Sequence, residues 1–497
     1  MTTDAPTTGP KTTDAETLGP EKSFALDYIV RNREALACLG DNIFHMAELG
    51  MQEFDSTALM SGLLEEGGFT VERNVAGFPT GFVASYGSGA PVVAIHTECD
   101  ANPDNSQRSG VAERSAIVDG APGHCEGHNL NAAAMVAAGL AIARAIDRFG
   151  LKGTIRLVNA PAEEQLISRP YFVRDGVFDD VDVAIHDHVD GQFRTVYGVL
   201  LTAAVSADFT FHGESAHAAL HPWMARDALD AVVLMDMGMA QFREHMQPSM
   251  TAHRVITHGG DQPNVIPSRA TVWWFFRDST ADGARALFEQ GKRIAEGAAL
   301  MTNTTLDVNI RSAVWPLRFN RTMAEVIQRN IEAIGMPGWT AEEDAFARKI
   351  QAKAEVEQVG LRPDATPLTG PVKQIPAAND AGDVSWVVPM GRVSFPGNIP
   401  GVPYHHWAAG AALATSIGHK GAEAGAKALA ASVVDLFLDP DLVAAAKETF
   451  REEIGNTPYE SMLPADQTPP LELNRALMER YREQLRTHYP AEKPHFD

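Results

Sequence analysis

Histidines and carboxylates gather in this chain just past short apolar runs. His96, Glu98 and Asp100 follow Val92-Val-Ala-Ile; Glu163 and Glu164 follow Ile155-Arg-Leu-Val-Asn-Ala-Pro-Ala; His186, Asp187 and His188 follow Val183-Ala-Ile. Ahead of an alanine-rich stretch stands Gly123-His-Cys-Glu-Gly-His-Asn129, and a late loop carries His405 and His406. Imidazole with carboxylate is a ligand set for zinc, and for manganese or cobalt when oxygen dominates. Taken singly, these pieces say little. A lone histidine at a strand end is more often a hydrogen-bonded polar residue than a ligand, and Glu163-Glu164 alone would ordinarily be a solvated pair. Their joint occurrence in five segments points to a metal site. The adjacent glutamates divide the labour naturally. One can bind a metal; the other can take a proton from a metal-activated water and return it to a leaving nitrogen. Two metals about 3.5 Å apart would polarise the scissile carbonyl.

Such residues need a scaffold that brings strand ends together. Residues 24–68 show helical spacing of apolar positions, residues 131–149 form a long alanine-rich helical stretch, and short apolar runs alternate with these. That alternation predicts an α/β fold, a mostly parallel sheet with helices on both faces, whose sites lie outside the carboxyl ends of its strands. The texture changes between residues 205 and 311. There the pattern is strand 206–212, helix 225–246, strands 252–258 and 270–277, helix 282–301 and strand 305–311. This β-α-β-β-α-β order is the ferredoxin-like unit, complete in itself, and predicts an insertion. The expected organisation is a flexible tail over 1–20, a metal-binding catalytic domain over 21–203 and 315–497, and an inserted lid or dimerisation domain over 204–314. Residues 341–383 read as a polar helix-and-loop insertion beside the site, 418–438 as a helix, and the part from 456 as a proline-rich surface wrap.

Composition narrows the function. The net charge is −23, with 64 acids against 41 bases and no Lys/Arg cluster, which argues against nucleic acid as a partner. Three sparse cysteines, Cys38, Cys99 and Cys125, argue against a disulfide framework and for a reducing, cytoplasmic location. No run of about 18 apolar residues predicts a membrane span, and the Thr/Asp/Pro-rich N-terminus has no signal-peptide pattern.

At these residues the chain resembles the metal-dependent aminoacylase and carboxypeptidase G family of peptidases, over roughly residues 24–465. The resemblance runs through Glu48-Leu-Gly-Met-Gln-Glu53, Glu98-Cys-Asp-Ala-Asn-Pro103, the string from Gly123 to Asn129, Pro161-Ala-Glu-Glu164 and Gly176-Val-Phe-Asp-Asp-Val-Asp182. It continues through Ser215-Ala-His-Ala218, Pro263-Asn-Val-Ile-Pro267, Ala295-Glu-Gly-Ala-Ala-Leu-Met-Thr302, Gly382-Asp-Val-Ser-Trp386 and Ile417-Gly-His-Lys-Gly421. It implies two divalent metal ions, zinc or manganese, on Glu126, His128, Glu164, His188 and His405, with Glu98 and Asp100 supporting them from behind. It implies Glu163 as general base, then acid. His217 would cross a dimer interface to hold the developing oxyanion, and Asn264 and Arg277 would clamp a substrate carboxylate. Arginine suits that clamp because its fork binds carboxylates bidentately.

Two departures stand out. Glu126 occupies a position where the relevant branch usually has cysteine, and a carboxylate is a harder ligand that favours manganese or zinc. Gln165-Leu166 replaces the glycines that usually follow the glutamates, which alters the pocket. His96 and His186 receive no role. The expected activity is hydrolysis of the amide of a small N-acyl or aryl-acyl amino acid, or a dipeptide-like carboxylate, by a homodimer or a heterodimer with a similar subunit. The alternatives are a metal-dependent deaminase of an aromatic amine and a non-catalytic partner subunit.

Overall fold

The computed structural model describes residues 18–497; the expected N-terminal tail therefore lies almost wholly outside the described residues, and Gly19 already opens a helix. The strands, in chain order, are β1 Thr70–Arg73, β2 Phe82–Ser88, β3 Val92–Thr97, β4 Gly153–Asn159, β5 Val183–Val189, β6 Gly198–Val199, β7 Ala203–His212, β8 Thr251–His258, β9 Arg269–Asp278, β10 Thr305–Val314, β11 Arg318–Phe319 and β12 Met390–Phe395. The larger sheet has the order β1-β2-β4-β3-β5-β12. β4, β3, β5 and β12 run parallel, and the β1-β2 hairpin adds an antiparallel edge.

Alternation along β3 shows how the two faces are sorted. Val93 and Ile95 enter a core built with the helices His128–Phe149, Ser416–Leu438 and Arg33–Met46. Ala94 enters the opposite core, with Tyr171 and Phe172 of the helix Ser168–Arg174. Burial of both faces explains why these strands read as continuous apolar runs. The helix His128–Phe149 is long and apolar enough to cross a membrane by length and composition, but 94% of its apolar window is buried inside the protein.

The smaller sheet has the order β10-β7-β9-β8, antiparallel throughout, and carries the helices Ala228–Phe242 and Ala281–Thr302. Its β-α-β-β-α-β order is the one the sequence predicts. β8 is an edge strand, and Val255 and Ile256 on it are exposed. The proline-rich end forms more than a wrap: the helix Arg475–Arg486 buries Met478, Tyr481 and Leu485, spaced along one face, against Leu49 and Ala121.

Candidate metal centre and active site

The carboxyl ends of β3, β4 and β5 deliver the polar residues to one place. His128 opens its helix directly after Gly127, which adopts φ +88°; a Cβ there would meet Val189 Cγ1 at 2.2 Å. Glycine is thus what lets His128 lie close beside the end of β5, where His188 stands. Ala162 and Leu166 bracket Glu163 and Glu164 with φ of 59° and 61°, and His405 itself has φ 57°. Left-handed backbone at three non-glycine residues costs about 1 kcal/mol or more at each, and such strain concentrates at functional sites.

Hydrogen bonds fix which imidazole nitrogens are free. His128 Nδ1 lies 3.0 Å from the Asp100 carbonyl oxygen, which can only accept, so Nδ1 carries the proton and Nε2 presents a lone pair. His188 Nδ1 likewise donates to the Val189 carbonyl at 2.7 Å. The two free Nε2 atoms converge on Glu126 Oε2, at 3.9 Å from His128 and 3.8 Å from His188. His405 Nε2 lies 2.6 Å from Glu126 Oε1 and 3.1 Å from Glu164 Oε2. His405 meets these acids through hydrogen bonds, whereas the longer 3.8–3.9 Å approaches of His128 and His188 to Glu126 leave room for a cation. Buried His128 Nε2 and Glu164 Oε1 have no hydrogen-bond partner, so the donor set fits a metal ion. Candidate ligand atoms of Glu126, Glu164 and His405 lie within 4.8 Å of one another, as do those of His128, Glu163 and Glu164.

The proton affinities show the same crowding of negative charge. Burial and the neighbouring Glu126 raise the Glu164 carboxyl to about 6. Burial pushes Glu163 well above the usual carboxylate range. Hydrogen bonds to Glu126 and Glu164 raise His405 to about 10, whereas burial lowers His188 to about 3. Asp100 supports the cluster on two sides: it faces His128 Nδ1 and accepts from the Glu164 backbone N–H at 3.1 Å.

Behind this cluster lies a fully buried ion network. Arg169 pairs with both Glu98 and Asp380, and its Nε donates to His96 Nδ1 at 3.1 Å. His186 Nε2 lies 3.3 Å from each Glu98 oxygen. His96 and His186 therefore belong to this network. Next to Asp380, the Asn379 side chain donates to Glu163 Oε1, while its own Oδ1 accepts from Ala381 N–H at 2.8 Å.

Above the cluster opens a cavity of about 680 Å³, lined among others by Glu126, Glu163, Glu164, His188, His405, Arg277 and Arg392. Arg277 reaches it from β9 and stacks on Phe275 at 5.0 Å. His217 and Asn264 do not line it. They adjoin each other in the exposed loops that follow β7 and β8, where Ala218 N–H donates to the Asn264 carbonyl at 3.1 Å. Of the predicted ligands and base, five line the cavity and His128 lies directly beneath.

Residues 201–300 match the family described as a peptidase dimerisation domain, M20_dimer. Over 472 residues the chain is 34% identical to one of the subunits of the p-aminobenzoyl-glutamate hydrolase of Escherichia coli K12, covering 90% of this chain and 98% of that protein. The chain belongs to the M20 family of metal-dependent amidohydrolases. It is therefore a hydrolase of amide C–N bonds. A second relative of this M20 amidohydrolase, the Xaa-Arg dipeptidase of Mus musculus, is 28% identical over 63% of this chain and 72% of that protein. Its fold also matches the YXEP protein of Bacillus subtilis, described as a dinuclear metal-binding peptidase of the M20 family, with a TM-score of 0.50 at 18% identity over 82% of this chain and 98% of that one.

The sequence pattern does not point to Arg169, Asn379, Asp380 or Arg392. Asn379 and Asp380 stand just ahead of the Gly382-Asp-Val-Ser-Trp386 motif, which is the one signal that could direct attention to them. Arg392 lies in a short strand interrupted by Gly391 and carries no motif.

Proposed function

We propose that this chain cleaves the amide bond of a small N-acyl or aryl-acyl amino acid, or of a dipeptide-like carboxylate, with two divalent metal ions, zinc or manganese, held by Glu126, His128, Glu164, His188 and His405. The observation that carries the reading is the convergence of two imidazole lone pairs on the Glu126 carboxylate, beside a glutamate that has one oxygen free. Bound there, the metal pair supplies Lewis acidity that polarises the scissile carbonyl and acidifies a water.

Glu163 is the general base. Its Oε1 is held by Asn379, and its Oε2 faces the ligands, 3.7 Å from His128 Nε2. Oε2 takes the water's proton and delivers it to the leaving nitrogen, and a carboxyl whose affinity is raised by burial suits that shuttle. Arg277 holds the substrate carboxylate through its fork. His217 and Asn264 enter from a second copy or a similar subunit, where His217 donates to the developing oxyanion. In this reading residues 21–203 and 315–497 form the catalytic domain and 204–314 the inserted dimerisation domain. The exposed β8 edge, with Val255, Ile256, Val233 and Met237 around it, supports such pairing. The names of the relatives, an aryl-acyl glutamate hydrolase and a dipeptidase, favour substrates with a free carboxylate. The three free cysteines suit a reducing, cytoplasmic setting.

The test is a screen of zinc- and manganese-reconstituted protein against N-acyl amino acids, dipeptides and p-aminobenzoyl-glutamate, following both released amino acid and ammonia. Release of amino acid is expected. Ammonia without amine-bearing product would instead favour the deaminase, and no turnover of any amide would refute the reading.

A further inference from the structure

Of the arginines lining the cavity, Arg194 has an acid to answer it: it donates to Asp190 at 3.0 and 2.8 Å. Arg392 and Arg277 differ. Among the described residues, neither has a carboxylate within 4.0 Å, and each has a buried guanidinium nitrogen without a hydrogen-bond partner, Nε of Arg392 and Nη1 of Arg277. Both line the cavity above the metal-ligand cluster. They come from different sheets: Arg277 is the penultimate residue of β9, whereas Arg392 lies on β12, in register with His186 and two residues before Ser394, which pairs with His188. Taking a guanidinium out of water without a counter-charge is unfavourable. At a binding site the ligand's anion offsets that cost.

One carboxylate occupies one bidentate fork, and Arg277 already provides that fork in the proposed reaction. Arg392 is a second fork in the same cavity, carried by the other sheet. We propose that Arg392 is a specificity-determining residue that binds a second carboxylate, so that the preferred substrates are amides bearing two anionic groups. This inference rests on the amidohydrolase reading. The second carboxylate has two possible sources, an acidic side chain on the amino-acid half or an acid on the acyl half. A competing role for Arg392 is to offset the acidic cluster of Glu126, Glu163 and Glu164. None of those acids lies within 4.0 Å of it, and that role would show in metal content rather than in selectivity.

Two matched substrate pairs separate these possibilities: benzoyl-glutamate against benzoyl-glutamine, and succinyl-leucine against succinamoyl-leucine. Wild-type, Arg392→Met and Arg392→Lys proteins are compared after zinc loading, with zinc content measured on each. The wild type should favour the charged member of one pair, and that pair names the half carrying the second acid. Arg392→Met should reduce this kcat/KM ratio by about tenfold to a hundredfold, the scale of a lost charge-assisted hydrogen bond. Arg392→Lys keeps the charge without the fork and should retain part of the preference. Equal loss on both members of each pair, or zinc loss with the ratio intact, would overturn the inference while leaving the amidohydrolase reading standing. Failure of the wild type to hydrolyse any N-acyl amino acid would overturn both.

Discussion

At the carboxyl ends of β3, β4, β5 and β12, acids, imidazoles and Arg169 are buried and answer one another within a single chain. The four-stranded sheet sends Arg277 into the cavity, but two of its predicted site residues stay outside it. His217 and Asn264 are exposed, and the β8 edge beside them exposes Val255 and Ile256. The first region is organised to hold charge in place before any ligand arrives, with a second hydrogen-bond partner behind His128 and His188. Such pre-organisation is what a metal and a developing oxyanion require. His217 and Asn264 in the second region do not line the cavity. In the proposed reading, the chain carries one complete half-site and one half-site that serves a neighbour.

The largest expected effect lies in the self-contained region. Glu163→Gln should keep metal content and lower kcat by roughly a hundredfold or more, the scale of losing a general acid-base. Near wild-type turnover would remove Glu163 from the mechanism. Next comes the outward-facing region. His217→Ala should lower kcat by about a hundredfold, as for loss of an oxyanion donor, with less effect on KM. Mixing inactive Glu163→Gln with inactive His217→Ala protomers should restore part of the activity, since a hybrid dimer contains one site with both residues intact. Absence of recovery, with protomer exchange shown independently, would break the contrast between the two regions.

The self-contained region was legible in the sequence where a residue's role is set by its strand. His188, Glu163 and Glu164 follow apolar runs, and a parallel sheet puts such positions at one edge whatever the tertiary detail. The strand and helix order of the smaller sheet was legible from its apolar periodicity. The supporting network was not. Arg169 meets Glu98 across 71 residues and Asp380 across 211, and Asn379 meets Glu163 across 216. No local period encodes such pairings. β12 escaped notice because Met390-Gly-Arg-Val-Ser-Phe places glycine and arginine inside a short strand.

A smaller effect is expected where the two regions join. Asp383 is fully buried and accepts from Trp315 N–H at 2.9 Å and Tyr459 Oη–H at 2.7 Å, just past the end of β10. Burial pushes its carboxyl up to about 7. Its unfolded value is about 3.9, so between about pH 4 and 7 the folded state holds a proton that the unfolded chain has released. Stability contributed by this group is therefore fully present below pH 4 and is lost as pH rises through 7. Asp383→Asn cannot titrate. Its Tm relative to wild type should rise across that window, and a difference flat with pH would show that Asp383 is ionised throughout.

The smallest effect tests how finely the first region is arranged. Asn379 Oδ1 is committed to Ala381 N–H at 2.8 Å, so the amide nitrogen is the end that faces Glu163. A donor on Oε1 turns Oε2 towards the ligands and favours the ionised, proton-accepting form of the carboxylate. Asn379 acts through Glu163 and so positions it. Asn379→Leu should lower kcat about tenfold, one charge-assisted hydrogen bond's worth, and leave KM and metal content close to wild type. Asn379→Asp is the sharper variant because it keeps the shape and the Ala381 contact but replaces the donor with a like charge. It should therefore lose at least as much kcat as the leucine variant. If the aspartate variant were as active as wild type, shape alone would hold Glu163, and the hydrogen bond from Asn379 would have no part in orienting it.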